Sequence, residues 1–174
     1  MLFRSAVLQQ GREVFADNCE RCHGNPETGA YPNLLVPQEL VGTDDALASL
    51  VTTSGYTDWY NASFYGRTSR MEPSFGYTPP PLDGIWATAP FLHNGSVPTL
   101  AALLDSSTRP TQWRRSADYD DADVGWKFDV VDDGGADSSV YDTTRFGYSN
   151  AGHTFGDALS PSDRSALIAL LKTF

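Results

Sequence analysis

The sequence predicts a mainly α-helical fold with long irregular loops. Apolar side chains recur at helical spacing near both ends of the 174-residue chain. Between the ends, 15 glycines and 11 prolines interrupt any regular pattern. Residues 105–154 carry few periodic signals, so little sheet is expected and this stretch is interpreted as a long acidic loop or insertion. The length suits one domain over residues 1–174.

The first predicted helix covers residues 5–18. Its narrow apolar stripe is spaced i, i+1, i+4, i+7, i+8 and consists of Val7, Leu8, Gly11, Val14 and Phe15. Gly11 lowers helix propensity, but it lets another helix approach closely. This helix is therefore expected to pack against a second one.

The last helix carries the clearest start signal in the chain. Ser160 is a suitable N-cap, Pro161 suits the first helical position, and Asp163 lies in the first turn. One apolar face follows, at spacing i, i+3, i+4, i+7: Leu167, Leu170, Leu171 and Phe174.

Two short helices are predicted between the terminal ones. The first covers residues 44–52 with Thr43 as N-cap. The second covers residues 96–104, with Pro98 tolerated in its first turn. Residues 55–83 are rich in Gly, Pro, Ser and Tyr and are expected to form a wrapping loop.

Cys19-Glu-Arg-Cys22-His23 is a C-x-x-C-H sequence, which is typical of covalent haem attachment. Two thiols three positions apart can reach the two vinyl groups on one edge of a porphyrin, and the next residue then brings its imidazole under the iron. A redox dithiol is the alternative. The motif uses both cysteines of the chain, so a disulfide framework or a four-ligand zinc site is not expected.

A six-coordinate iron needs a second axial ligand, and three side chains are candidates: Met71, His93 and His153. Met71 has a suitable spacing from the motif, although its neighbours Arg70 and Glu72 are polar. The residues by themselves leave the choice open.

Two long stretches, Pro80–Leu100 and Gly147–Gly156, resemble the bacterial dihaem cytochrome c peroxidase superfamily, most closely the branch that contains the dihaem rubber oxygenases. The segment 11–18 resembles the first helix of cytochromes c. The resemblance runs from about Gly11 to the end of the chain. It implies a cytochrome c-like haem domain similar to the C-terminal haem domain of that branch, with one covalent haem c.

The resemblance also bears on the distal ligand. The peroxidases usually place a methionine shortly after the Ala-Pro-aromatic-x-His segment, and this chain has none between Leu103 and Ser107. The rubber-oxygenase branch has a bis-histidine centre with its distal histidine near the chain end, a position that His153 matches. Trp86 lies within the resembling stretch and is expected to be a core aromatic or a haem contact. Candidate partners of the haem propionates are Arg67, Arg70 and Arg145.

The formal charge of −10 argues against nucleic-acid binding. Much of it comes from two clusters: Asp118, Asp120, Asp121, Asp123 and then Asp129, Asp132, Asp133, Asp137. Each cluster is interpreted as a solvated surface or as a docking surface for a basic redox partner. A calcium loop is a weaker interpretation, because residues 129–134 lack EF-hand spacing.

Two functions remain. The first is electron transfer through a six-coordinate His/His haem. The second is the haem domain of a peroxidase or oxygenase whose catalytic haem lies on another domain or chain. No apolar run is long enough for a transmembrane helix. Haem attachment normally follows export, so we expect a periplasmic or secreted protein whose leader was removed, or a piece of a longer protein.

Overall fold

The computed structural model describes residues 2–174 and combines helices with two small antiparallel sheets. Only 36% of the chain is helical and 16% is strand, so the prediction of a mainly α-helical fold is wrong. The α-helices of the described residues are α1 (Leu2–Asn18), α2 (Glu20–His23), α3 (Gln38–Val41), α4 (Ala46–Thr53), α5 (Tyr56–Ala62), α6 (Leu100–Leu104) and α7 (Pro161–Leu171). The strands are β1 (Val36–Pro37), β2 (Gly76–Tyr77), β3 (Gln112–Asp120), β4 (Gly125–Val130) and β5 (Val140–Asp142). Short 3-10 turns lie at Tyr65–Arg67, Ile85–Ala87 and Ser106–Thr108.

Helices α1 and α7 pack across each other, as predicted. A Cβ added to Gly11 would lie closer than 3.0 Å to the carbonyl oxygen of Ala166, so glycine is required at the crossing. Leu170 is 1% exposed at the same contact, and the rings of Phe15 and Phe174 meet edge to face at 5.1 Å. The two terminal helices therefore form one side of the core.

The start of α7 confirms its predicted cap, since Ser160 Oγ accepts the N–H of Asp163 at 3.2 Å. The starts of the two internal helices differ from prediction. Helix α4 begins at Ala46, two residues late. Helix α6 begins at Leu100 rather than at residue 96, because residues 97–99 are extended and their backbones pair with Phe91 and with strand β4.

The segment 105–154 was predicted to be a loop or insertion, but it contains a three-stranded antiparallel sheet in the order β4-β3-β5. Trp113 joins this sheet to the rest of the chain: it is 3% exposed, and its indole N–H donates to the carbonyl of Ser96 at 3.2 Å. The other residues of β3 are polar or only partly buried. The strand consequently has no apolar alternation from which it could be predicted.

The segment 55–83 was predicted to be a loop, yet it contains α5 and β2. Strand β2 pairs with β1 through Val36 and Tyr77. Within residues 2–174, no helix is both long and apolar enough to cross a membrane. One apolar cluster joins the terminal helices to α6 and to the turn between β3 and β4: Val14, Phe15, Leu82, Phe91, Val97, Leu100, Ala102, Leu104, Val124, Leu167, Leu170 and Leu171.

Candidate functional site

The C-x-x-C-H segment continues directly from the end of α1. The N–H of Cys19 donates to the carbonyl of Phe15 at 2.8 Å, and the N–H of His23 donates to the carbonyl of Cys19 at 3.0 Å. Gly24 ends this turn with φ +74° and lies against the backbone of Ala30 and Tyr31, where a Cβ has no room. The motif is therefore one helical turn with defined bounds.

Both cysteines are free thiols and partly buried. Burial raises the pKa of the Cys19 thiol to about 12, and the neighbouring Cys22 contributes to the same shift. The two thiols lie one helical turn apart on the segment that also carries His23. This is the arrangement expected for two thioether bonds to one porphyrin edge.

The fold brings His23 and His153 together, although they lie 130 positions apart in the sequence. Their ring centres lie 6.1 Å apart, with an angle of 64° between the rings. Two metal–imidazole bonds of about 2 Å, together with the roughly 1 Å from each ring nitrogen to its ring centre, span about 6 Å. The gap is therefore the right size for one metal ion between two ring nitrogens.

Hydrogen bonding leaves one nitrogen of His23 available for such an ion. His23 Nδ1 lies 2.8 Å from the carbonyl oxygen of Pro80, so Nδ1 carries the proton and Nε2 is the free nitrogen. A ligating histidine commonly uses its other ring nitrogen in this way. His153 Nδ1 is buried and has no hydrogen-bond partner among the described residues.

Burial favours the neutral form of both imidazoles. Burial lowers the pKa of His23, and burial together with the nearby His23 lowers the pKa of His153 to about 4. A neutral imidazole is the form that can bind a metal ion. The site is thus electrostatically suited to metal ligation.

The backbone at His153 is unusual, since this non-glycine residue has φ +46°. Its N–H donates to the carbonyl of Val41 at 2.7 Å. Beside it, Gly152 has φ +74°, and a Cβ there would lie closer than 3.0 Å to the backbone of Gly42 and Thr43. The end of α3 therefore holds the loop of His153 by backbone contacts.

The other two ligand candidates lie in different surroundings. The backbone N–H and carbonyl of Met71 are both bound by the Asn61 side chain at 2.8 Å. His93 is exposed, stacks on Tyr77 at 4.3 Å and has its Nε2 at 3.2 Å from the Tyr77 hydroxyl oxygen. The ring contact to His23 is made by His153.

Trp86 is not a core residue, because 48% of its surface is exposed. Its indole N–H donates to the carbonyl of Phe174 at 3.1 Å, and its own carbonyl accepts a hydrogen bond from the Tyr119 hydroxyl. Its contact with haem stays a prediction. All three arginines proposed for the propionates, Arg67, Arg70 and Arg145, are exposed, and Arg145 also pairs with Asp142 at 3.6 Å.

Exposed apolar side chains are concentrated between the motif and Pro80. They are Tyr31, Leu34, Leu35, Leu40, Leu47, Leu50, Tyr56, Trp59, Phe64, Tyr65 and Phe75. Contiguous exposed apolar side chains typically mark a surface that binds an apolar group or partner, and within this stretch the rings of Tyr56 and Trp59 and those of Phe64 and Tyr65 touch. In addition, the Phe155 ring lies edge-on to His153 at 5.1 Å.

Among residues 2–174, no group of three or more His, Cys, Asp or Glu side chains is arranged to hold a metal ion. The histidine pair supplies two ligands only, so a bare ion would lack at least half of its coordination shell. Haem iron brings four nitrogens of its own and needs two axial ligands. The pair of histidines beside two thiols therefore fits haem c better than a free ion.

Comparison with known proteins agrees with this chemistry. Residues 76–114 match the family described as RoxA-like, cytochrome c-like. This match supports a cytochrome c-like domain. A cytochrome c-like domain implies haem c as the cofactor. The matched segment includes Pro80, whose carbonyl contacts His23.

Two curated relatives come from Sinorhizobium fredii (strain NBRC 101917 / NGR234), and both are uncharacterized proteins. The chain is 44% identical to y4iJ over 118 residues, which covers 62% of the chain and 19% of y4iJ. It is 31% identical to y4iM over 181 residues, which covers 85% of the chain and 41% of y4iM. The chain thus spans less than half the length of either relative.

Proposed function

We propose that this chain transfers single electrons through one haem c, attached to Cys19 and Cys22 and ligated by His23 and His153. The observation that carries the proposal is the 6.1 Å separation of the two histidine rings next to the C-x-x-C-H turn. When bound, haem c supplies one-electron iron redox chemistry. The protein's part is to hold both axial positions and to shield the cofactor from water.

The residues around the histidines support this role. Pro80 accepts from His23, which orients that ring and increases its basicity as a ligand. The backbone contacts at Val41 and Gly42 hold the loop of His153. If His23 and His153 both bind the iron, they would leave no coordination position for peroxide or oxygen. Two imidazole ligands also favour a lower reduction potential than a Met/His pair does.

A second candidate function is the haem domain of a peroxidase or oxygenase whose catalytic haem lies elsewhere. The length of the curated relatives favours this second function, because each relative is more than twice as long as the stretch that this chain matches. In that case this domain would deliver electrons to the catalytic haem. The ligand set proposed for the histidines is the same under both functions.

We also propose a location outside the cytoplasm, in the periplasm or secreted, because covalent haem attachment normally follows export. The proposed redox partner is basic. Its docking surface would be the two acidic clusters, of which the first lies around the β3–β4 turn and the second runs from Asp129 in β4 into the segment before β5. Nearly all of their carboxylates are exposed. A negative surface of this kind attracts a cationic partner.

The test of the ligand set is the absorption spectrum of both oxidation states, with His153→Ala and Met71→Ala as matched variants. We expect low-spin iron in both states of the wild type and of Met71→Ala. His153→Ala should open the site, convert the iron to high spin and permit carbon monoxide binding. A sulfur-to-iron charge-transfer band in the oxidised wild type, or an open site in Met71→Ala alone, would contradict the His/His assignment.

A further inference from the structure

We infer that Arg109 is the residue that positions His153 as an axial ligand, by clamping the loop that carries it to the core helix α6. The inference rests on the proposed function, because it assigns a role toward the His153 ligand. Arg109 follows the 3-10 turn Ser106–Thr108 and lies in none of the motifs that indicate haem attachment.

All five N–H donors of the Arg109 guanidinium have a backbone carbonyl as partner. Three of these carbonyls belong to the loop of His153, residues 150–153: Asn150 at 2.6 Å, Gly152 at 2.7 Å and His153 itself at 3.1 Å. The other two are Ala102 at 3.1 Å and Leu103 at 3.0 Å, in the last turn of α6. One side chain therefore joins the ligand loop to a helix end.

Helix α6 is a rigid support for this clamp. Leu100, Ala102 and Leu104 are 1%, 4% and 6% exposed and belong to the apolar core. The last carbonyls of a helix lack partners within the helix, and a cation at that end is favourable. Arg109 donates hydrogen bonds to these carbonyls and thereby anchors residues 150–153 to the core.

The loop needs such a support because its backbone is strained. His153 adopts the left-handed region, which non-glycine residues rarely occupy and which persists only when the surroundings enforce it. Val41 holds the His153 N–H from one side, and Arg109 holds the carbonyls from the other. Without the clamp, the imidazole would be free to leave its position opposite His23.

Arginine is required by the geometry of the clamp. Its planar fork carries five donors in fixed directions, whereas a lysine ammonium carries three. Lysine at this position would leave at least two of the five carbonyls without a partner. The side chain is partly buried, so water can replace those hydrogen bonds only in part.

The experiment measures carbon monoxide binding to the reduced holoprotein, since the distal histidine must leave before carbon monoxide can bind. We compare wild type, His153→Ala, Arg109→Gln and Arg109→Lys. Loss of a group that orients a metal ligand typically weakens the metal site roughly 10- to 100-fold, and we expect Arg109→Gln to accelerate binding by a factor in this range. Arg109→Lys should fall between Arg109→Gln and wild type.

The matched control is Arg164→Gln. Arg164 is also partly buried, pairs with Asp105, and donates to the carbonyls of Gly156 at 3.2 Å and Asp157 at 2.8 Å, but it contacts no carbonyl of residues 150–153. A merely structural arginine would lower the urea midpoint without changing ligand exchange. We therefore expect Arg164→Gln to bind carbon monoxide at the wild-type rate. Amide hydrogen exchange of His153 gives a second readout, and it should be faster in Arg109→Gln alone.

The outcomes separate this inference from the proposed function. If His153→Ala stays low-spin, the ligand assignment fails, and the inference fails with it. If His153→Ala opens the site but Arg109→Gln binds carbon monoxide no faster than Arg164→Gln, the inference is wrong and the ligand assignment stands. If Arg109→Gln does not yield folded protein, Arg109→Lys decides: wild-type carbon monoxide binding and wild-type His153 exchange in that variant would overturn the inference.

Discussion

The two histidines of the site are held in place by different means. His23 ends a helical turn that continues from α1, and its backbone partner is Cys19, four residues away. His153 lies outside any helix or strand and is held by Val41 and Arg109, which are distant in sequence. The backbone of His23 is positioned by local structure, whereas that of His153 is positioned by tertiary contacts.

This difference shows what a short motif can specify. Four consecutive peptide units determine where Cys19, Cys22 and His23 lie relative to one another. In contrast, the place of His153 depends on the end of α3, the end of α6 and a left-handed backbone, and a change in any of them would displace it. We therefore expect mutations to act locally around His23 and from a distance around His153.

The largest effect is expected at the motif itself. Replacing Cys19 and Cys22 by alanine should abolish holoprotein, because no covalent bond to a porphyrin can then form. Acid–acetone extraction should leave the colour with wild-type protein. Haem that is readily extracted from the wild type would show that Cys19 and Cys22 do not bind it covalently.

The support of the motif by the terminal helices gives the next largest effect. Leu170→Asp would place an unpaired charge where the side chain is now 1% exposed, and it should lower the free energy of unfolding by more than about 3 kcal/mol. Urea denaturation of the holoprotein measures this change. Ser165→Asp, on an exposed position of α7, is the control and should have little effect. Equal tolerance of both substitutions would mean that α7 is not part of the core.

Substitutions of Gly42 and Gly152 test the tertiary contact that holds the loop of His153. Gly42 and Gly152 have φ +64° and +74°, so alanine at either costs about 1–2 kcal/mol in backbone strain. At Gly152 alone the new Cβ would also collide with the backbone of residues 42 and 43, whereas at Gly42 it meets ordinary van der Waals contacts. We expect Gly152→Ala to increase the high-spin fraction in the absorption spectrum and Gly42→Ala to leave it low-spin.

If the two glycine variants have the same spectrum, the close approach of Gly152 to α3 does not position His153. Their thermal unfolding should differ in the same order as their spectra. A spectral change in Gly42→Ala only would mean that the contact requires glycine at position 42 rather than at position 152.

The smallest effect is expected at the acidic surface, because the hydrogen bonds of Asp120 and Asp133 are made within their own turns and not to either histidine. Changing Asp120, Asp121, Asp132 and Asp133 to asparagine should leave the spectrum unchanged. Electron exchange between the wild type and a basic cytochrome c should slow with ionic strength, because salt shortens the Debye length from about 10 Å at 0.1 M. The quadruple variant should show a flatter dependence. The same salt dependence in both proteins would mean that the clusters are only a solvated surface.

Regular local patterns account for the elements that the sequence predicted well. Ser160 and Pro161 start α7 where expected, and Gly11 lies at the predicted crossing with that helix. Such signals act within one turn of helix or along one helix face. They do not depend on the rest of the chain.

The three-stranded sheet was not predicted because its strands are specified by pairing rather than by pattern. Strand β3 has a single buried residue, Trp113, and its partners lie on strands further along the chain. Helix α5 was missed for a related reason, since its residues lie within a stretch rich in turn-forming types. Propensity is a weak guide where pairing and burial decide the structure.

Arg109 and Pro80 were missed as functional residues because of the chemistry of their contacts. Arg109 binds backbone carbonyls, and Pro80 offers its own carbonyl to His23. Backbone groups are the same in every residue, so such contacts leave no side-chain pattern in the sequence. The stretch that resembles the peroxidase superfamily begins at Pro80, but the resemblance does not identify the Pro80 carbonyl oxygen as the partner of His23.

The sequence by itself determined the attachment turn at residues 19–23 and the two helices that cross beside it, because helical periodicity and a four-residue spacing fix these over short distances. The tertiary structure alone decided the position of His153, whose ring centre lies 6.1 Å from that of His23; the residues by themselves had left Met71, His93 and His153 open, and only the family resemblance favoured His153. That position depends on contacts between the ends of α3 and α6 and one loop. Such contacts form only when the whole chain has folded, and no local spacing encodes them.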